Sequence, residues 1–83
     1  MSGTQVWNKT AEFPRNQAVL TPHDTQLLPQ EMVIVAGSDG DVSITNYAGT
    51  TVVWSVLAGQ AVPCRAMRVN ATGTTASPII GVW

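Results

Sequence analysis

The chain has 83 residues, a formal net charge of −1, and only 11% charged residues. So short a chain removes roughly 60–65% of its unfolded surface from water on folding, and one cysteine (Cys64) with one histidine (His23) excludes both an intrachain disulfide and a Cys/His zinc set. Four basic residues, Lys9, Arg15, Arg65 and Arg68, make no stripe that could neutralise phosphates, which argues against nucleic acid as a partner, and no apolar run is long enough for a membrane span.

Small folds compensate for a thin core with disulfides, metals or association, so elimination leaves a homo-oligomer as the expected state. Residues 1–30 read as an extended N-terminal arm and 31–83 as a β domain. The arm is rich in Thr, Gln and Asn and carries Pro14, Pro22 and Pro29, each of which removes a backbone donor and biases its predecessor away from helical angles. Yet Val6, Trp7, Phe13, Val19, Leu20, Leu27 and Leu28 make it more apolar than a solvated tail. The arm is therefore expected to lie against something, a neighbouring subunit in the first place. "MSGTQVWNKT" has no apolar h-region, so synthesis in the cytoplasm is expected, and the Asn-x-Thr patterns at 8–10 and 70–72 carry no weight as glycosylation sites.

From Glu31 the text reads as strands broken by turn chemistry. "EMVIVA" (31–36) is β-branched and ends in "GSDGD", where Asp-Gly predicts a hairpin turn. "DVSITNY" (41–47) alternates apolar with polar as a half-buried strand does, and "AGT" joins it to "TTVVWSV" (50–56) in a predicted hairpin. Gly59 in "LAGQA" suits a turn that needs positive φ. "VPCRAMRVN" (62–70) places Cys64 and Ala66 on one face and Val69 on the other, a slip in phase near Met67 and Arg68 that a β-bulge would produce. "PIIGVW" (78–83) is the last strand, with Trp83 as a plug at one end of the core. The predicted fold is all-β: a small antiparallel sandwich or barrel of about five to six strands with an extended N-terminal arm. Val52, Val53, Trp54, Val56 and Leu57 set apolar groups on both faces of one strand, so that strand needs a second cover beyond its own core.

No residue set assembles a catalytic site, and no cofactor or metal is expected. His23 and Asp24 are adjacent and point apart on an extended chain, without a nucleophile elbow, so a turn or cap explains them better than hydrolysis. Asp39 and Asp41 fall short of the six to eight oxygens that calcium takes. Cys64 beside Arg65 reads as a small core residue rather than a reactive thiol. Trp7, Trp54 and Trp83 could form the platform of a small carbohydrate-binding module, though tryptophan in a small β protein serves core and subunit contacts more often. At least one of Arg65 and Arg68 is expected to form an ion pair, within the subunit or across an interface, with Glu31, Asp39 or Asp41 as candidates. The candidate interface residues are Val6, Trp7, Phe13, Leu20, Leu27, Leu28, Trp54, Arg65, Arg68 and Trp83.

The segment "GTTVVWSVLAGQAVPCRAMRVNATGTTASPIIGVW" (49–83) resembles the head-spike base and capsid-decorating proteins of tailed phages and gene transfer agents. The residues that carry the resemblance are Gly49, Thr50, Val52, Trp54, Ala58, Gly59, Pro63, Arg65, Arg68, Val69, Ala71 to Ala76, Ile79 and Trp83, with "RVNATGTTA" the most specific element. "DTQLLP" (24–29) and "GSDGDVSIT" (37–45) are also similar to that family, while residues 1–20 are not covered. Cys64 and Met67 stand where the family often has an aliphatic and a basic residue. The resemblance implies a non-enzymatic virion protein that assembles as a ring on the capsid surface, a pentamer at vertices ahead of a trimer. The implied partners are the major capsid protein and a spike or fibre protein; capsid cement, or a neck or tail junction, is the alternative placement.

Overall fold

The computed structural model describes residues 14–83, so Val6, Trp7 and Phe13 lie outside the described residues. Within them the chain forms β1 (Gln17–Leu20), β2 (Met32–Ala36), β3 (Gly40–Thr45), β4 (Thr51–Val56), β5 (Ala61–Ala66), β6 (Arg68–Val69) and β7 (Ile79–Val82). A four-stranded sheet of order β1-β7-β2-β5 packs on a three-stranded sheet of order β4-β3-β6, with antiparallel pairing throughout. The expected all-β sandwich is the observed fold.

Between the sheets lies a core made by strict alternation. Met32, Ile34 and Ala36 of β2 point inward and are buried, against Val42 and Ile44 of β3, Val56, Val62, Ala66, Val69, Ala76 and Ile79. Each fully buried aliphatic side chain of this kind contributes about 1.5–3 kcal/mol relative to leaving it in water. Leu20, Leu28, Trp54, Cys64 and Trp83 are half-buried and pack around that centre. Cys64 and Ala66 share the inward face of β5, as their spacing predicts.

The hairpin expected from residues 41–56 is present as β3 and β4, in register from Gly40 opposite Val56 to Thr45 opposite Thr51. Its turn is closed by Asn46, whose Oδ1 accepts the N–H groups of Ala48 and Thr50 at 3.0 Å each. Gly59 takes the positive φ expected of it, at 80°.

Three expectations are corrected. "GSDGD" is not a hairpin turn but a connection that carries the chain from β2 in one sheet to β3 in the other. Asp39 braces it by accepting the Ala58 N–H at 2.7 Å. Gly40 is required here, because at its φ of 152° an added Cβ would stand 2.8 Å from Thr75 Oγ1 and 2.9 Å from the Ala76 nitrogen. Second, the phase slip at Met67 is a change of sheet rather than a bulge: β5 pairs with β2, whereas Arg68 and Val69 pair with Thr45 and Ile44 of β3. The register irregularity lies instead between Val33 and Val35 of β2, opposite β5.

Third, a boundary at residue 31 leaves β1 on the arm side, yet β1 pairs with β7 from Gln17 opposite Val82 to Leu20 opposite Ile79. The Trp83 carbonyl accepts the N–H groups of Arg15 and Asn16 at 2.8 Å, and the Trp83 N–H returns to the Asn16 carbonyl at 3.0 Å. After β1 the chain crosses to the short β6 and closes its outer edge: the His23 N–H reaches the Val69 carbonyl and the Leu28 N–H the Met67 carbonyl. Pairing between segments some sixty residues apart leaves no local pattern for composition to reveal.

Candidate assembly surfaces

The "RVNATGTTA" segment explains itself in the fold. β6 ends after two residues, and the chain from Asn70 to Ala76 then runs beside β3 without forming a ladder. Side chains stand in for the missing strand. Thr74 Oγ1 accepts the Ser43 N–H at 3.0 Å, and Thr75 Oγ1 accepts the Asp41 N–H at 2.9 Å. The Asn70 N–H donates to the Ser43 carbonyl and the Thr75 N–H to the Asp41 carbonyl, at 2.8 Å each. Gly73 passes over the sheet where its Cβ would lie 3.3 Å from Ser43 Cβ.

Beneath this loop sits a buried polar cluster on the outer face of the three-stranded sheet. Ser43, Thr45 and Asn70 are all buried. Asn70 Nδ2 donates to Ser43 Oγ at 3.2 Å and to Thr45 Oγ1 at 3.1 Å, and Arg68 Nε donates to Asn70 Oδ1 at 2.7 Å. Thr45 Oγ1 also accepts from an Arg68 Nη2 at 3.3 Å and lies 2.8 Å from Thr51 Oγ1. A hydroxyl has two acceptor sites and one proton, so Thr45 donates to Thr51 and its own hydroxyl is fully used. Polar groups buried in this way are costly only when unpaired. Within the chain, Arg68 thus ends on an amide and a hydroxyl. Asp41 accepts from the Ser55 hydroxyl, and Asp39 from Ala58. Arg65 is exposed on the outer side of β5.

His23 and Asp24 serve the fold separately, as their adjacency implies. His23 Nδ1 accepts the N–H groups of Thr25 and Gln26 at 3.1 and 3.0 Å, making a small turn. Asp24 reaches across to the threonine loop, accepting the Thr72 N–H at 2.8 Å and the Thr72 hydroxyl at 2.9 Å. Those hydrogen bonds, the backbone one foremost, hold its carboxyl below the ordinary value of 3.8. Cys64 is half-buried, its thiol 3.6 Å from the Arg65 carbonyl. Among the described residues no group of three or more His, Cys, Asp or Glu could hold a metal ion, and no helix is long and apolar enough to cross a membrane.

Of the described members of the predicted interface set, Leu20, Leu27 and Leu28 line one depression together with Val19 and Pro29. Leu20, Leu28, Trp54 and Trp83 pack against the core with part of each left exposed, while Leu27 is exposed on the segment between β1 and β2. Other apolar residues are exposed as well. Val19 on β1 is 73% exposed, and Tyr47, Val52, Val53 and Leu57 form a second group on and beside β4. The double apolar face of β4 is legible in "VVW"; Val19, in a short apolar run of three residues, and Tyr47, in a turn, give no such signal.

Compared with solved structures, this fold matches a chain described as "Capsid of native GTA particle computed with C5 symmetry", GTA denoting a gene transfer agent. The TM-score is 0.76 and the identity 31%, over 84% of this chain and 83% of that one. The chain belongs to the head-spike base and capsid-decorating family of tailed phages and gene transfer agents. No protein-family model matches the sequence, and comparison with curated proteins gave no match. The threonine loop, the asparagine–arginine cluster and the β1–β7 pairing form the scaffold, and among the described residues open apolar side chains stand on β1, on and beside β4, and at Leu27.

Proposed function

We propose that this chain is a structural virion protein whose copies close into a five-fold ring on the capsid surface and form the base for a spike or fibre. The observation that carries the reading is the match, at 31% identity and over most of both chains, to a chain in a capsid computed with C5 symmetry. The chemistry supports it: the hydroxyls of Thr74 and Thr75, the Asn70 amide and the Asp24 carboxylate are all engaged in holding the fold. Trp54 and Trp83, the described members of the carbohydrate-platform set, pack on the core. The major capsid protein is the partner below the ring and a fibre the partner above it. The segment before β1 acts as an adhesive arm between copies or onto the shell.

Sedimentation of the purified full chain over a wide concentration range, together with mass spectrometry of purified particles, tests this reading. A five-copy species, and the chain among the particle proteins, is the expected result. A chain that stays monomeric and is missing from particles overturns it. Removing residues 1–13 should leave the β domain folded, as read by circular dichroism, and weaken assembly; unchanged assembly would show that the arm is not adhesive.

A further inference from the structure

A ring of five cannot be built from a patch that meets itself, because cyclic closure beyond a dimer needs two different surfaces, one on each flank of the subunit. The sandwich has two such flanks, and the strand edges left unpaired among the described residues differ in one respect. Exposed edges in natural sheets are ordinarily protected by charges or proline. The β5 edge has both, in Pro63 and Arg65. β1, "QAVL", and β4, "TVVWSV", have neither. β4 is a six-residue run of high β propensity without charge, proline or glycine, the type of segment that pairs with another chain when left open.

These unprotected edges lie on opposite flanks. β1 and β5 are the two ends of one sheet, and β4 lies beside β5 at the end of the other. Each also has exposed apolar side chains: Val19 on β1 at 73%, and Val52 and Val53 on β4 at 46% and 53%. A shallow depression of about 300 Å³, lined by Gln17, Ala18, Val19 and Ile80, runs along β1.

We propose, resting on the ring reading above, that the β1 edge of one copy adds to the β4 edge of the next, and that this strand-to-strand contact closes the ring. Main-chain hydrogen bonds across the new pair supply affinity, and Val19 packing against Val52 or Val53 supplies register, as in other strand-addition contacts. The occupant of each edge is therefore a second copy of this chain.

Two single substitutions and their mixture test it. Val19→Lys spoils only the β1 edge and Val53→Lys only the β4 edge, both at exposed positions where circular dichroism should find the fold intact. Each variant alone should form rings only at concentrations at least about tenfold higher than the parent chain. An equimolar mixture has one good β1 edge and one good β4 edge, so it should form two-chain species that neither variant forms alone. Rings from either variant at the parent's concentration, or a mixture that stays monomeric, overturns this interface while leaving the ring reading in place. A parent chain that never assembles overturns both.

Discussion

Along one side of β3 a backbone ladder with β4 runs through six residue pairs; along the other the ladder lasts two pairs, and side chains join a few isolated main-chain bonds to supply the rest. The β4 side can be built by almost any strand that alternates correctly, since the bonding groups are in the main chain. The loop side is specific to individual residues: Thr74 for the Ser43 N–H, Thr75 for the Asp41 N–H, Asn70 for the hydroxyls between them. One side of the sheet therefore tolerates variation, and the other explains why "RVNATGTTA" reads as a motif.

Substitutions can sharpen or break that contrast. The largest effect is expected at Ile44, which is buried and stands opposite Val52 on one side and Val69 on the other. Ile44→Ala should cost about 2–5 kcal/mol in urea unfolding, whichever side matters more. Asn70→Ala should follow at about 1–3 kcal/mol, because it leaves Ser43 and Thr45 without their buried donor and Arg68 without its nearest acceptor. A loss of only a few tenths would show that water replaces the amide and that the loop side is no more specific than the ladder.

The two threonines divide the effect further. Thr74→Val takes the acceptor from the backbone of buried Ser43 and should cost about 1–2 kcal/mol, whereas Thr75→Val frees an Asp41 N–H near solvent and should cost under about 1 kcal/mol. The reverse order of midpoints would contradict the geometry.

The smallest effect is pH-dependent. Asp24 is held below its ordinary value of 3.8 in the folded state by hydrogen bonds from Thr72, so its contribution is present above that value and fades as pH falls through the lower folded value. Melting temperatures of the parent and Asp24→Asn should therefore converge as pH drops below 3.8. A gap that stays constant through this range would separate Asp24 from the loop's stability.

Much of the sandwich is legible from the residues. Alternation marks β2, β3 and β4, turn chemistry marks the Asn46–Thr50 and Gly59 turns, and the β-branched "PIIGVW" marks β7. What is hidden is which sheet each strand joins. An Asp-Gly turn looks the same whether the chain doubles back or crosses the sandwich, and a phase slip at Met67 looks the same whether it is a bulge or a change of layer. β1 is hidden because only Val19 and Leu20 are strongly apolar and its partner is far along the chain. The threonine loop is recognisable as a motif, but its reason lies in β3 N–H groups that only the assembled fold brings beside it. Of the assembly surfaces, the doubled apolar face of β4 can be read from "VVW", whereas the open β1 edge needs the pairing order of the sheet.

The most direct measurement of the central claim is an electron-microscopy reconstruction of particles that contain this chain, refined at the vertices without imposed symmetry. The account predicts five copies of the sandwich around each occupied vertex axis, with neighbouring copies touching through the β1 and β4 edges. Isolated single copies scattered over the shell, or a particle surface without the sandwich, would contradict it.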